Sequence, residues 1–281
     1  MTASGPDDAR RPLVRHGRMR TVVVTGSASG MGAATRARLE AAGQRVIGVD
    51  VHDADVVADL STPAGRRAAV DGVAAHAGGA LDGVVTWAGV AGLTGVPGSL
   101  LVSVNYFGTV ELLDGLRPLL AAGDRPAAVA ISSNSTTCQP GVPADVVELC
   151  LAGDEPAARD AADAATSLMT YPASKLAIAR WVRRQAPTAG WAGAGITLNA
   201  VAPGAVETPM LQATREDPAI GRFVDEFPVP VGRKGTADEL AAFVQFLLGP
   251  DARFFCGAVV FVDGGTDALL RADDAPTPMA G

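Results

Sequence analysis

Six short apolar runs set the main constraint on this chain: Thr21–Thr25, Arg45–Val49, Leu81–Thr86, Ala127–Ser132, Ile196–Ala200 and Ala258–Val262, separated by Ala-, Leu- and Arg-rich stretches of helical length. Strands that are apolar on both faces must be covered on both faces, and helices that join parallel strands provide that cover. The expected fold class is α/β, a single domain over residues 19–272 built on a doubly wound parallel sheet. No internal repeat and no Pro/Ser-rich linker divides it. Residues 1–18 hold Asp7, Asp8 and several arginines without the apolar stretch of a secretion signal, so they are expected to form a disordered tail, and residues 273–281 to fray.

Composition narrows the function classes. Although 48% of residues are hydrophobic, no run approaches the ~20 apolar residues of a membrane-spanning helix. A formal net charge of −7 supplies no field for a phosphate backbone, so neither membrane nor nucleic acid is an expected partner. Cys138, Cys150 and Cys256 form no Cys-x-x-Cys pair, and the histidines (His16, His52, His76) accompany neither Gly-x-Ser-x-Gly nor His-Glu-x-x-His. Zinc, redox-disulfide and hydrolase-triad chemistry therefore find no support, no metal is expected, and a reducing cytoplasm is the expected compartment.

Two segments carry chemistry. The first run leads into Thr25-Gly26-Ser27-Ala28-Ser29-Gly30-Met31-Gly32 and then the helical Ala33–Ala42. Glycines there let the backbone turn tightly against a pyrophosphate at the helix N-terminus. Asp50, at the end of the second run, can accept both ribose hydroxyls of an adenosine and would repel a 2′-phosphate, which favours NAD over NADP. In the second segment Tyr171 and Lys175 lie one turn apart in the helical stretch Tyr171–Arg184, on a common face. With only two tyrosines and two lysines in the chain, a chance Tyr-x-x-x-Lys has an expectation of about 0.01. An ammonium beside a phenol favours the phenolate, so Lys175 together with the positive nicotinamide of bound NAD+ is expected to bring Tyr171 low enough for acid/base work near neutral pH.

The spacing Thr-Gly-x-x-x-Gly-x-Gly resembles the short-chain dehydrogenase/reductase family, whose further marks follow in order: Asp59-Leu60, Ala88-Gly89, Asn105, Ser132-Ser133, Tyr171-Pro-Ala-Ser-Lys175, Pro203-Gly204 with Thr208, and Asp263-Gly264-Gly265. The resemblance covers roughly Arg20 to Asp267 and implies a Rossmann fold. It also implies a catalytic set of Asn105, Ser133, Tyr171 and Lys175, with Ser132 as the adjacent competitor for the serine. For NAD it implies Gly26, Ser29, Gly30, Met31, Asp50, Asp59, Leu60, Ala88, Gly89, Tyr171, Lys175, Pro203, Gly204, Val206 and Thr208. Thr86-Trp87 replaces the usual pair of asparagines, and Trp87 reads as a packing residue beside the cofactor.

Ser133 and Tyr171 are separated by far more than the dozen or so residues usual in the family, and the extra segment, Pro143–Ser167, reads as a helical insertion. With the Asp59–Thr62 stretch, this resembles bacterial members that interconvert 3α-hydroxysteroids and 3-oxosteroids and accept other bulky ketones. Met210, Leu211, Ile220, Phe223, Val224 and Phe227, between Pro209 and Pro228, read as an apolar lid. In the family the Asn105 and Tyr171 helices usually form one subunit interface, so the insertion is expected to hinder it. That leaves a homodimer, favoured over the homotetramer, through Phe243, Phe246, Leu247, Val260 and Val262. Two alternatives stay open: a ketoreductase on carrier-bound, terpene or polyketide substrates, with Arg180, Arg183 and Arg184 as the patch for an acidic carrier, and a non-catalytic NAD-binding module.

Asp50 yields a direct test. Asp50→Ser should shift the NADP:NAD ratio of kcat/KM toward NADP by about tenfold or more, the value of one lost charged contact. Steady-state rates with each cofactor check this, and parent protein that uses NADP as well as NAD would overturn the reading of Asp50.

Overall fold

The computed structural model describes residues 18–274. The main sheet consists of β1 (Thr21–Thr25), β2 (Arg45–Asp50), β3 (Val56–Val57), β4 (Gly83–Thr86), β5 (Ala127–Ile131), β6 (Thr197–Pro203) and, after the two-stranded pair β7 (Val206–Glu207) and β8 (Gly235–Thr236), β9 (Val259–Val262). All seven strands are parallel, in the order β3-β2-β1-β4-β5-β6-β9, so the strand order reverses between β1 and β4. Ligands of open α/β sheets bind outside the carboxyl ends of the strands at such a reversal.

Burial explains the pairing. Every residue of β1, β4, β5 and β6 is buried, as strands sandwiched between two helical layers must be. One layer is α1 (Gly30–Ala41) with a late helix, Ala237–Leu248. The other is α2 (Pro63–Ala77), α3 (Gly98–Leu101), α4 (Gly108–Ala121) and the helix carrying Tyr171. Between α3 and α4 the chain widens into a single π-turn, Val102–Phe107. After β5 come α5 (Ser135–Cys138), α6 (Ala144–Ala152), α7 (Glu155–Ala164) and α8 (Ser167–Gln185); after β7, α9 (Pro209–Glu216) and α10 (Gly221–Glu226); after β8, α11 (Ala237–Leu248); and after β9, α12 (Thr266–Leu270). The insertion is thus helical, as its composition suggested. Its α6 packs on α8, and its α7 on α3 and the π-turn.

Several expectations need correction. The helix with Tyr171 starts at Ser167, four residues early, and keeps Pro172 inside. Proline lacks the amide that would close onto Leu168 O, and the Gln139 side chain takes that carbonyl instead, at 3.1 Å. Helix α1 starts at Gly30 rather than Ala33, β4 starts at Gly83 rather than Leu81, β6 extends to Pro203, and the two-residue β3 had too little pattern to be seen. Leu247 is buried among Val244, Leu248 and the α1 side chains, so it presents nothing outward. Phe246 is exposed, and all four residues of the edge strand β9 are half-exposed. Arg18, placed in the N-terminal tail, pairs with the buried Asp82 at 2.5 Å. Asp273 and Asp274, placed in the fraying C-terminal tail, lie in a turn in which Asp274 N donates to Arg271 O at 3.1 Å; the rest of the two tails falls outside the described residues. No helix among the described residues is long and apolar enough to cross a membrane.

Candidate active site

The cofactor end is built where three backbones converge. Gly26 has φ +65°, and a Cβ there would lie 2.8 Å from Ala88 N; one on Gly32 would lie 1.9 Å from Gly26 O. Only glycine permits both approaches, and the result is a groove against the N-terminus of α1. Ser29 caps that helix without a side-chain bond, so its first amides stay free for an anion. Asp50 stands at the end of β2, its carboxylate accepting from Ala28 N (2.9 Å) and Val51 N (2.7 Å). Gly26, Ser29, Gly30, Met31, Asp50, Asp59, Leu60, Ala88 and Gly89 line this one groove. Asp59 turns its carboxylate onto Ser61 N, 2.9 Å away. Room without Cβ atoms, free amides and a fixed carboxylate at the far end fit a dinucleotide with an unphosphorylated ribose.

The groove shares Met31, Trp87, Gly89, Val90, Thr208 and Met210 with a second cavity of about 300 Å³. Ser133, Tyr171 and Lys175 meet at its floor. Tyr171 hydrogen-bonds the Ser133 side chain, and Ser133 Oγ also accepts from Ser135 N at 3.2 Å. Ser132 also borders the cavity, but its hydroxyl is engaged, donating to Lys175 O on α8 at 2.9 Å. Lys175 Nζ donates to Ile131 O at 3.1 Å. Asn105, fully buried in the π-turn, accepts from Val90 N (2.8 Å) through Oδ1 and donates to Val90 O (3.1 Å) and Ser174 Oγ (3.2 Å).

The electrostatics of the catalytic groups are set first by burial. Burial raises the Tyr171 phenol above its ordinary value, and the Ser133 hydrogen bond offsets only part of this. Burial also lowers Lys175, to about 8. Trp87 packs in the apolar layer between the sheet and α1 and α11, and the hydroxyl of Thr86 finds no partner among the described residues, so the bracing that the missing asparagines would supply falls to Thr25 Oγ1, which accepts from Ala88 N at 2.9 Å.

The far wall contains Pro203, Gly204, Val206 and Thr208. Thr208 Oγ1 caps α9 by accepting from Leu211 N at 3.2 Å and donates to Val206 O. All six apolar residues expected in a lid, from Met210 to Phe227, line the cavity. Two contributors escaped the sequence reading. Gln139 lines the cavity while filling the gap left by Pro172, for which Pro172 itself was the available signal. Asp217, between α9 and α10, accepts from Thr94 N (2.6 Å) and Thr94 Oγ1 (3.0 Å), which ties the lid to the loop after β4; nothing in its local sequence marks that long-range contact. Cys138 is half-buried with a thiol that burial pushes up, so it gains no reactivity. Lys234 pairs with Asp225 on α10. Among the described residues no group of His, Cys, Asp and Glu has a metal-binding arrangement.

A family profile described as enoyl-(acyl carrier protein) reductase matches residues 157–267. A 3-alpha-hydroxysteroid dehydrogenase/carbonyl reductase of Comamonas testosteroni is 43% identical over 259 residues, covering 90% of this chain and 98% of that protein. The crystal structure of a 3-alpha-hydroxysteroid dehydrogenase from Pseudomonas sp. B-0831, complexed with NADH, superposes with a TM-score of 0.87 at 48% identity, covering 90% of this chain and 99% of that one. Levodione reductase of Leifsonia aquatica is 29% identical over 280 residues, covering 89% of this chain and 94% of that protein.

Lys175 carries a pH signature. Between its folded value of about 8 and its ordinary value of 10.5, the unfolded chain binds a proton that the folded chain does not, so stability rises with pH across that window. Relative to Lys175→Met, which lacks this group, the parent should gain up to about 3 kcal/mol from pH 8 to pH 10.5. Denaturant midpoints of both proteins at each pH check this, and parallel curves would overturn it.

Proposed function

This chain belongs to the short-chain dehydrogenase/reductase family, and from that premise we propose that it interconverts a secondary alcohol and a ketone with NAD, the substrate being a 3α-hydroxysteroid or a similarly bulky, apolar carbonyl compound. The observation that carries this reading is the meeting of Ser133, Tyr171 and Lys175 at the floor of an apolar cavity that opens into the Gly26–Asp50 groove.

NAD, when bound, supplies the centre that takes up or returns hydride. Ser133 and Tyr171 hold the substrate oxygen between two hydroxyls. In the oxidative direction Tyr171 takes the hydroxyl proton as the carbinol C–H bond breaks and its electron pair leaves as hydride; in the reductive direction Tyr171 returns the proton. A phenol raised by burial needs positive charge to do this, and Lys175 together with the oxidised nicotinamide provides it. Lys175 and Asn105 then carry the proton toward solvent. A Cβ on Gly89 would lie 3.0 Å from Asn105 Oδ1 and 3.5 Å from Lys175 Nζ, so the bare glycine leaves a gap where both groups can reach a water.

Neither a non-catalytic NAD-binding module nor a carrier-bound substrate gains an observation from the structure. A non-catalytic NAD module has no use for the convergence of Ser133, Tyr171 and Lys175. The arginines suggested for an acidic carrier are engaged elsewhere: Arg180 and Arg184 lie 3.2 and 4.0 Å from Glu148 of the insertion, and Arg183 donates to Gly257 O. For assembly we favour a cytoplasmic homodimer. Helices α6 and α7 cover the side of α8 and the π-turn, whereas Phe246, Phe254 and the β9 edge stay exposed and apolar.

With NAD+ and a panel of secondary alcohols followed at the nicotinamide absorbance, kcat/KM for a 3α-hydroxysteroid should exceed that for 2-propanol by roughly a hundredfold or more. Equal rates on both would overturn the substrate class. Tyr171→Phe should cut kcat by about 10²–10⁴-fold with NADH binding kept, and near-normal turnover would end the mechanism. Light scattering on the full-length protein should give the mass of a dimer; a tetramer would refute the assembly proposed here.

A further inference from the structure

We infer that the insertion, through Glu155, Arg159 and Asp163 on α7, positions Asn105 for catalysis. These three residues recur at intervals of four and so share one face of α7. All three bind the segment that leads to Asn105. Glu155 Oε1 accepts from Ser103 Oγ at 2.9 Å, and Arg159 Nη1 donates to the same hydroxyl at 2.6 Å. Asp163 Oδ1 accepts from Ser99 N at 2.7 Å, taking one of the amides that the short helix α3 leaves unpaired. Contact there is close enough to exclude a side chain, since a Cβ on Gly98 would lie 2.0 Å from Ala162 O.

Ser103 is two residues from Asn105 in the same π-turn. Its carbonyl receives the Gly108 amide that closes the wide turn, and Arg66 Nη1 donates to that carbonyl at 3.4 Å. Arg66 is 1% exposed, and its charge is balanced inside the protein by Glu155 of the insertion, which its guanidinium meets with two nitrogens, and by Glu111 at 2.7 Å. A π-turn is rare because its wide ring is poorly sustained by the backbone alone. Here side chains from α7 and α2 grip it at the residue that closes it. Through this grip α7 fixes the direction in which Asn105 projects toward Val90 and Ser174, beside the Gly89 gap. The insertion is then a brace of the active site as well as a cover on the outer face. Glu155, Arg159 and Asp163 line neither the cofactor groove nor the substrate cavity; they are positioning residues. The inference rests on the proposed part of Asn105 in the proton path.

The test uses the full-length protein with Glu155→Ala/Asp163→Ala, Asn105→Ala, and the triple combination, with Asp160→Ala on the exposed side of α7 as control. Amide exchange should rise at Val90 and over 102–108 in Glu155→Ala/Asp163→Ala, while β1 stays as protected as in the parent. Turnover should fall roughly tenfold to a hundredfold with the KM for NAD+ nearly unchanged, and the pH profile of kcat should match that of Asn105→Ala. The triple variant should lose no more than Asn105→Ala alone. Parental protection at Val90, or losses that multiply in the triple variant, would overturn the brace. An Asn105→Ala protein with parental kcat and pH profile would instead overturn the relay, and with it the catalytic part of the inference, leaving the exchange at Val90 to judge the grip on the π-turn. Should the double variant unfold, Ser103→Ala, which removes only the hydroxyl shared by Glu155 and Arg159, gives the same comparison.

Discussion

The approach of Gly26 to Ala88, at the point where the sheet reverses its strand order, is the contact on which the rest of the site depends. Gly26 N also donates to Val49 O at 2.9 Å, so the turn after β1 is fastened to the ends of both neighbouring strands, β2 and β4. That arrangement starts α1 close to the strand ends, sets Asp50 across the groove from the free amides, and leaves Ala88 and Gly89 as its floor. A methyl group at Gly26 or Gly32 would have to displace backbone, which no rotamer change can accommodate.

From this fixed edge the two halves of the site are held by different means. The cofactor groove is defined by backbone and by glycines, which makes it stiff. The substrate side relies on side chains that cross between elements: Gln139 to the carbonyl freed by Pro172, Asp217 to Thr94, and Thr208 as the cap of α9. Stiffness on one side and crossing contacts on the other suit a common cofactor beside a cavity whose wall can be adjusted to its ligand.

Most of the fold was legible because it is written locally. Buried parallel strands read as continuous apolar runs, and six of the seven in the main sheet could be placed within a few residues; β3, with two residues, has no period to detect. Ser133, Tyr171 and Lys175 could be named because short motifs carry them, and Tyr and Lys are scarce in this chain. What escaped was set by partners distant in sequence. The start of α8 was read at Tyr171, yet the helix begins at Ser167, and Gln139, 29 residues from Leu168, takes the carbonyl that Pro172 leaves unpaired inside it. Likewise the acidity of Tyr171 was judged from the charges of Lys175 and the nicotinamide, and only the folded chain reveals how deeply that phenol is withdrawn from water.

Pro172 has a mechanical consequence. In an uninterrupted helix each carbonyl is tied to its own helix, and a neighbouring wall can slide past without disturbing it. Here the carbonyl of Leu168, one turn before the proline, is tied to Gln139 in the cavity wall. A ligand that presses Gln139 outward therefore pulls on the helix that carries Tyr171 one residue before the proline, and the shape of what fills the cavity is transmitted along α8 to the hydroxyl that would move the proton.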